Sequence, residues 1–300
     1  MDTIETNSVK AWMLATRPKT LAAAVAPVIL GTAIGFQQEG TIKIIPAVIC
    51  LLFAVLMQAA ANLINDLIDY QKGSDGEERL GPMRATAQGW ITPLAMKIGI
   101  ATFIGTACLI GLGILYYTSW HIIGVGILCA IFAYFYTSGP FPLSYNGLGD
   151  VAVIAFFGVV ATGFSSYVQC GKWNIETTLM GIAMGIVVNA LLVVNNYRDR
   201  DNDAKCGKRT LIVLLGEPFG RYFYLANGLI ATAFVDFWFV FENNKIGILL
   251  MIIYIVRHLI VWKKLCIIRE GKALNKLIGQ TSLNMLIFAL LTTLGICLSE

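Results

Sequence analysis

The chain has 300 residues, of which 57% are hydrophobic and only 13% are charged, and its formal net charge at pH 7 is +4. Soluble domains carry about 25% charged residues, so this composition argues against a soluble enzyme. It favours a protein that lies in a lipid bilayer, and the small positive charge is no indication of nucleic-acid binding.

Nine apolar segments follow one another along the chain, after 19 largely polar residues that do not resemble a signal peptide. Each is close to the roughly 20 residues that cross a bilayer as a helix. They lie near 20–36, 43–65, 94–116, 119–137, 149–169, 176–197, 221–240, 245–262 and 280–298. We therefore predict an all-α integral membrane protein, residues 1–300 forming one domain of about nine transmembrane helices.

The basic residues predict the orientation of these segments. Of the 22 lysines and arginines, 19 lie before the first segment or near the ends of the second, sixth and eighth. Lys43, Lys172 and Lys245 are the other three. Cytoplasmic loops carry an excess of basic residues. We therefore expect the N-terminus and the loops after even-numbered segments to face the cytoplasm, in a cell membrane.

Polar side chains cluster where the second segment ends, in the sequence NDLIDYQKGSD. Four of them fall at i, i+3, i+4 and i+7 and share one helical face: Asn62, Asn65, Asp66 and Asp69. Gly73 then permits a turn, after which Asp75 could fold back toward the helix end. Polar residues in a membrane helix are costly and tend to be functional.

A second cluster ends the sixth segment with a similar pattern. Asn196, Asp199 and Asp203 share a face, and Asp199-x3-Asp203-x3-Gly207 aligns with Asn65-x3-Asp69-x3-Gly73. The match suggests a weak internal repeat of segments 1–4 and 5–8, with the ninth segment appended.

The chemistry of these clusters points to a metal-bound phosphate. Oxygen ligands from Asp and Asn suit Mg²⁺, which commonly bridges carboxylates to substrate phosphates. Basic residues that could take phosphate oxygens stand beside both clusters: Lys72, Arg84, Lys208 and Arg209. The seven cysteines and two histidines are scattered, which argues against a zinc, haem or iron–sulfur site. The predicted substrate is a diphosphate with an apolar tail.

Five stretches together resemble the UbiA-type superfamily of intramembrane aromatic prenyltransferases. They are RPKT at 17–20, ANLINDLIDYQKGSD at 61–75, GPMRA at 81–85, GPFPLSYNGLGD at 139–150 and NNYRDRDNDAKCGKRTLIVLLG at 195–216. The Gly-x-Asp that follows the first acidic motif and the GKRT that ends the second are similar to the branch that prenylates 1,4-dihydroxy-2-naphthoate in menaquinone biosynthesis.

The resemblance implies a helical bundle around a central active-site cavity, with Mg²⁺ as cofactor. It implies that a polyprenyl group passes from its diphosphate to 1,4-dihydroxy-2-naphthoate, with loss of CO₂, to give a demethylmenaquinone precursor. The implied metal ligands are Asn65, Asp66, Asp69, Asp75, Asp199 and Asp203. Arg17, Lys19, Lys208 and Arg209 would neutralise the diphosphate. Both substrates and the bilayer are the expected partners, with no obligatory protein partner.

A prenyl cation should form between apolar and aromatic walls, away from water. Aromatic residues near the end of the fourth segment could supply them: Tyr134, Phe135, Tyr136, Phe141 and Tyr145. Ser138 or Tyr136 could hydrogen-bond a substrate. Asn62 and Asn196, on the faces of the two acidic clusters, complete the expected substrate pocket.

Three other functions stay open at this point. The acceptor could be another aromatic molecule such as 4-hydroxybenzoate, since no residue pattern physically specifies a naphthoate. A CDP-alcohol phosphotransferase also combines clustered aspartates with Mg²⁺, but Asp75-Gly76 is followed by Glu-Glu-Arg, which does not match its motif. A cation-coupled transporter would carry its polar site near the bilayer midplane, whereas these acids lie at one edge.

Overall fold

The computed structural model describes residues 4–73 and 79–298, and all the helices and turns in these ranges form one bundle. The α-helices are α1 (Val9–Ala15), α2 (Pro18–Glu39), α3 (Ile44–Gln71), α4 (Pro93–Leu112), α5 (His121–Phe135), α6 (Gly149–Val153), α7 (Ala161–Cys170), α8 (Ile175–Lys205), α9 (Leu211–Phe241), α10 (Lys245–Ile268) and α11 (Leu274–Cys297). A 3₁₀ turn, Gly113–Tyr116, extends α4, another spans Leu143–Tyr145, and the π-helical stretch Ile154–Val160 joins α6 to α7.

These helices confirm the prediction of an all-α multi-pass membrane protein. Eight helical spans of the described residues are long and apolar enough to cross a bilayer, and they coincide with eight of the nine predicted segments. The fourth predicted segment forms α5, which is apolar but has only 15 residues. The short helix α1 was not predicted, because its seven residues do not make a transmembrane segment.

Small residues bring the central helices unusually close together. A Cβ atom on Gly31 of α2 would lie 2.2 Å from the carbonyl oxygen of Thr162 in α7. One on Gly158, in the π-helical stretch, would lie 2.4 Å from the carbonyl oxygen of Gly181 in α8. Glycine at such positions lets membrane helices pack backbone to backbone. The close packing joins α2, α7 and α8 at the centre of the bundle, and α8 carries the second acidic face described below.

All the loops that precede α2 or follow α3, α5, α8 and α10 meet at one end of the bundle, here called the charged end. Arg209, after α8, donates its backbone N–H to the carbonyl of Tyr145, after α5, at 2.9 Å. Asn275, at the start of α11, donates to the carbonyl of Leu80 at 2.8 Å. At the opposite end, Lys43 and Gln169 bond to each other. Successive loops thus lie alternately at the charged end and at the opposite end, in agreement with the distribution of basic residues along the sequence.

The connection between α3 and α4 folds over the charged end as a cap loop, defined here as residues 79–92. Its apolar side chains Ala85 and Ile91 are fully buried and pack with Leu63 of α3. Asn7, just before α1, donates its N–H to the carbonyl of Trp90 at 2.7 Å. The cap loop is therefore part of the packed structure and brings Arg84 over the end of α3.

Candidate active site

The acidic face of α3 is buried beneath the cap loop. The carboxylate of Asp66, with 1% of its surface exposed, accepts the backbone N–H of Ala85 at 2.9 Å and that of Thr86 at 3.0 Å. Asp69, 2% exposed, forms an ion pair with Arg84. Each of these two buried carboxylates thus meets N–H donors or a positive charge, which offsets the cost of its burial.

Two asparagines extend this face toward the membrane interior. Asn62 donates to the carbonyl of Thr16 at 2.8 Å and to the hydroxyl of Thr20 at 3.0 Å. Asn65 accepts a hydrogen bond from the hydroxyl of Thr137, which follows α5. The four polar residues predicted to share a face of α3 therefore do so, and each has partners from other elements.

The second acidic face lies near the C-terminus of α8. Arg198 donates to Asp199 through its Nε at 2.7 Å, and its Nη atoms donate to Asn195 at 2.7 Å and Asn275 at 2.8 Å. Asp203 is 6% exposed. Asp199 is thereby neutralised by the residue that precedes it in the sequence. Asp203 instead lies near the end of α3, since Lys208 contacts both Asp203 and Asp69.

Lys208 joins the two acidic faces. Its Nζ lies 3.7 Å from Oδ1 of Asp69 and 3.6 Å from Oδ1 of Asp203. Gly207 has φ +73°, and this left-handed turn directs the chain back so that the N–H of Lys208 reaches the carbonyl of Asp203 at 2.9 Å. The expected turn at Gly73 is confirmed in the same way, with φ +66°.

The electrostatics of this junction couple two lysines to the acidic faces. Burial by itself lowers the pKa of the Lys208 ammonium, but the carboxylates of Asp69 and Asp203 outweigh burial and raise that pKa above its ordinary value. Lys72 lies 3.9 Å from the ring centre of Tyr145. Its pKa is lowered by burial, against the opposing effect of Asp69 and with a further lowering by Lys208. Two cations thus stand within a few ångströms of the paired acids.

An apolar cavity of about 550 Å³ begins beside these residues and runs along the bundle. Its polar lining is concentrated at the charged end: Arg17, Thr20, Gln58, Asn62, Asn65 and Asn195. Its aromatic lining comes from Phe53, Phe132, Tyr136, Phe156, Phe157 and Phe164. From Asn65 to Ile49, both lining residues of α3, the helix rises about 24 Å. The cavity can therefore hold a long apolar chain with its polar head at the charged end.

The donor set fits a Mg²⁺ ion whose coordination is completed by a substrate. In the described part of the chain, no three acidic, histidine or cysteine side chains converge closely enough to hold a metal by themselves. The side chains that do converge carry hard oxygen atoms, on Asp69 and Asp203, and these are the ligands that Mg²⁺ uses when phosphate oxygens supply the rest. The positive charge now shared by these two carboxylates is that of Lys208.

The structure brings together most of the residues predicted from the sequence. Ser138 has its N–H bonded to the carbonyl of Tyr134 at 3.0 Å, near the end of α5, and Asn196 lines a small pocket next to the cavity. Lys19 and Arg209 lie at the charged end with exposed side chains. Tyr134 is 49% exposed on the outer face of α5. The role of each stays a prediction, and Asp75 falls outside the described residues.

Other functional candidates were not predicted. Thr137, Asn195 and Asn275 support the acidic faces through long-range hydrogen bonds that no local motif indicates. The phenylalanines of the cavity come from α3, α5 and the stretch 154–164, and in the sequence they are indistinguishable from lipid-facing residues. Arg17 was predicted, and it lines the cavity from a left-handed backbone conformation, φ +52°, at the N-cap of α2. Such a conformation is costly for a residue other than glycine and is often found at functional sites.

Known proteins resemble this chain over most of its length. A family model described as the UbiA prenyltransferase family matches residues 24–296. The chain is similar to the 1,4-dihydroxy-2-naphthoate octaprenyltransferase of Escherichia coli strain K12, with 34% identity covering 97% of this chain and 96% of that one. The Haemophilus influenzae protein of the same name is 33% identical over the same shares.

Solved structures share the fold. A UbiA homologue from Archaeoglobus fulgidus, described as bound to DMAPP and Mg²⁺, superposes with a TM-score of 0.68 at 15% identity, over 96% of this chain and 99% of that one. A UbiA homologue from Aeropyrum pernix K1 gives a TM-score of 0.68 at 12% identity, over 94% of this chain and 98% of that one. At these identities the likeness concerns the arrangement of helices.

Proposed function

Because the chain belongs to the UbiA prenyltransferase family, we propose that it transfers a polyprenyl group from its diphosphate to 1,4-dihydroxy-2-naphthoate, with loss of CO₂, as a step of menaquinone biosynthesis. Relatives with that activity in their names cover almost the whole chain. The observation that carries the proposal is the meeting of two acidic faces and Lys208 at the polar end of an apolar cavity. A polyprenyl diphosphate has the same division into a charged head and an apolar tail.

The basic residues bind and orient the diphosphate. Lys208 and Arg84 already lie against the carboxylates, and Lys72 stands next to them over Tyr145. Arg17 reaches the same region from the start of α2. Positive charges and N–H donors fixed around the diphosphate stabilise the charge that develops on it as the allylic C–O bond weakens.

We propose that Asp69 and Asp203, with Asn65, Asp66 and Asp199 around them, hold Mg²⁺ together with the diphosphate. When bound, the ion supplies Lewis-acid stabilisation of the leaving diphosphate. Asp66 retains free acceptor capacity for this, since a carboxylate has about four lone-pair sites and its two backbone partners use only some of them. The fold is shared with a protein solved with DMAPP and Mg²⁺.

The cavity walls protect the reacting carbon from water. Phe132 and Phe156 stack with ring centres 3.6 Å apart, and both line the cavity with Tyr136. Aromatic faces stabilise a nearby positive charge without reacting with it. The allylic carbon can therefore carry positive charge until the electron-rich ring attacks from its carboxylate-bearing carbon, after which loss of CO₂ restores the aromatic ring.

The charged end is proposed to face the cytoplasm, where soluble substrates are made, with the whole chain forming one unit in the cell membrane. The excess of basic residues at that end supports the orientation. It would also place the diphosphate head at the membrane surface and the tail in the bilayer core.

A product assay on isolated membranes tests the function. Farnesyl diphosphate is supplied with either 1,4-dihydroxy-2-naphthoate or 4-hydroxybenzoate, with and without Mg²⁺, and lipid products are identified by mass. We expect a Mg²⁺-dependent prenylated naphthoquinol that has lost the mass of CO₂. Product from 4-hydroxybenzoate alone would move the protein to another branch of the family, and product without any divalent ion would contradict the metal site.

A further inference from the structure

A second, much smaller pocket lies behind the wall of the main cavity, and Tyr136 belongs to both. We call it the Tyr136 pocket. Its volume is about 20 Å³, which is room for one water molecule. It is lined by Tyr136, Ser144, Gly147, Gly149, Asp150, Asn196 and Thr210. The Tyr136 side chain therefore separates a substrate-sized apolar space from an enclosed polar one.

One polar group of this pocket lacks the partner that burial normally demands. The Oγ atom of Ser144 is buried and has no hydrogen-bond partner in the described part of the chain. Asp150 is 5% exposed and forms no ion pair with the described basic residues. The fully buried amide of Asn189 lies beside Asp150 and interacts with its carboxylate. Buried polar groups are nearly always satisfied. The Ser144 hydroxyl therefore needs a polar partner, which a water molecule in this pocket would supply.

The hydroxyl of Tyr136 points toward this group of residues. A Cβ atom on Gly149 would lie 3.4 Å from the Tyr136 oxygen, and Gly149 directly precedes Asp150. A side chain larger than that of glycine would crowd the hydroxyl. The position of Asp150 in the first turn of α6 does not explain why a phenol and an unpartnered serine hydroxyl share its pocket.

The phenol itself stays protonated. Burial raises the pKa of the Tyr136 hydroxyl, and the negative charges of Asp150 and Asp203 raise it further. Tyr136 can therefore pass a proton from one side to the other, but it cannot store a negative charge. A storage site for a proton is needed on the pocket side, and Asp150 is the titratable group there.

We propose that Tyr136, a water in the Tyr136 pocket and Asp150 form a returning proton relay for the aromatic acceptor. This inference rests on the proposed function. The relay takes the proton from the acceptor hydroxyl adjacent to the carboxylate-bearing carbon while that carbon attacks the prenyl group. It returns the proton to the same oxygen when CO₂ leaves.

The two steps balance. In the first, a C–C bond forms between the ring carbon and the allylic carbon, and the allylic C–O bond breaks with its electron pair leaving on diphosphate. The hydroxyl proton moves to the Tyr136 oxygen as the proton of Tyr136 passes through water to Asp150, and the ring now holds a β-keto carboxylate. In the second, the bond to CO₂ breaks, its electron pair moves to the ketone oxygen, and the proton returns. No oxidant, reductant or net proton is consumed.

Two conservative substitutions test the relay in the full-length protein in lipid vesicles. Tyr136→Phe keeps the ring that lines the cavity, and Asp150→Asn keeps the shape of the side chain. The matched controls are Tyr116→Phe, an 88% exposed residue, and Asp201→Asn, whose side chain is 78% exposed. Single-turnover rates are measured with farnesyl diphosphate, 1,4-dihydroxy-2-naphthoate and Mg²⁺, and thermal denaturation of each variant reports its folding.

We expect both substitutions to lower the single-turnover rate by about 100-fold or more, the usual contribution of positioned proton transfer. The KM for farnesyl diphosphate should stay within about two-fold of the wild type, because the relay does not touch the diphosphate. Tyr136→Phe alone decides the question if Asp150→Asn does not fold. A folded Tyr136→Phe variant with more than half of the wild-type rate would overturn the relay.

An acceptor that lacks the hydroxyl proton next to the carboxylate-bearing carbon shows whether Tyr136 acts by proton transfer or by shaping the cavity. In 1-methoxy-4-hydroxy-2-naphthoate the oxygen next to the carboxylate-bearing carbon carries a methyl group. We expect wild type and Tyr136→Phe to convert it at equal, slow rates. The same fractional loss on both acceptors would show that Tyr136 only shapes the cavity. A wild type that makes no product from either naphthoate would instead refute the proposed function, and the relay with it.

Discussion

The two acidic faces have similar spacing in the sequence, yet the structure neutralises them in different ways. On α3, Asp66 is bonded to two backbone N–H groups of the cap loop, and Asp69 is paired with Arg84 of the same loop. On α8, Asp199 is paired with its neighbour Arg198, and Asp203 has Lys208 at 3.6 Å as its ion-pair partner. The first face is thus covered by a loop, whereas the second depends on its own helix and the turn that follows it.

This difference assigns the two faces different tasks. The bonds of Asp66 hold the cap loop in place over the site, so part of the first face is structural. Asn275, which accepts from Arg198 and donates to the carbonyl of Leu80, connects the second face to the same loop. The two faces act together at Asp69 and Asp203, which share the cation of Lys208.

The largest effect is expected at that shared pair. Asp69→Asn and Asp203→Asn each remove one negative charge and keep the shape of the side chain. Because both carboxylates are proposed to hold the metal-bound diphosphate, each change should lower turnover by about 1,000-fold at saturating Mg²⁺. Product formation by mass is the measurement. If either variant kept more than a tenth of wild-type activity, its aspartate would not be needed for the metal, which the other acidic face alone would then hold.

Substitution of the shared cation should have the next largest effect. Lys208→Met leaves the two carboxylates without their common partner and removes a charged hydrogen-bond donor from the diphosphate. Charged hydrogen bonds contribute about 1.5–3 kcal/mol, so the KM for the prenyl diphosphate should rise by roughly 10- to 100-fold. Lys263→Met, an exposed lysine at the charged end, is the matched control and should change KM by less than two-fold.

A substitution of Asp66 distinguishes its structural role from its proposed role in catalysis. Asp66→Ala leaves the N–H groups of Ala85 and Thr86 without their acceptor at a buried position. We expect the free energy of unfolding to fall by about 1–3 kcal/mol and protease cleavage within the cap loop to become faster. Asp203→Asn serves as the comparison, because Asp203 has no hydrogen bond to the cap-loop backbone among the described residues. An unchanged thermal midpoint and intact cap loop in Asp66→Ala would mean that the loop is held by its apolar side chains.

The smallest effect concerns pH. The pKa of Lys72 is lowered by burial and by Lys208, against the effect of Asp69, so Lys72 loses its positive charge at a lower pH than an ordinary lysine. The KM of the wild type for prenyl diphosphate should therefore rise a few-fold as the pH is raised from neutral toward the ordinary lysine pKa. Lys72→Arg, which stays charged throughout, should show a weaker rise. Identical profiles for the two proteins would exclude Lys72 from the alkaline change.

Much of the fold was predictable because the bilayer restricts it so strongly. Length and hydropathy located the spans, and the face shared by Asn62 and Asp69 followed from the helical period. The fourth span is shorter than predicted, since hydropathy extends past Phe135 into turn residues. The helix at 211–241 begins about ten residues before the predicted segment and contains a break at Gly216, which hydropathy alone does not indicate.

The site was predictable where it is local. Clustered aspartates, basic neighbours and turn-forming glycines lie within short stretches, and these stretches by themselves indicate a polar site at the charged end. Thr137, Asn275 and the cavity phenylalanines were not predicted, because their partners lie far away along the chain: Thr137 is 72 residues from Asn65, and Asn275 is 195 residues from Leu80. Tyr134 was expected in the pocket; its side chain is 49% exposed and does not line the cavity, and its role stays a prediction.

The sequence by itself determined that this chain is a helical membrane protein, that its basic residues collect at one end, and that two acidic faces lie there. Each follows from composition and helical period, which are properties of neighbouring residues. Only the tertiary structure decided that Asp69 and Asp203 share Lys208, that the cap loop takes both oxygens of Asp66, and that Tyr136 stands between two cavities. These depend on the packing of α3, α5 and α8 against one another, and contacts between distant segments leave no periodic trace in a single sequence.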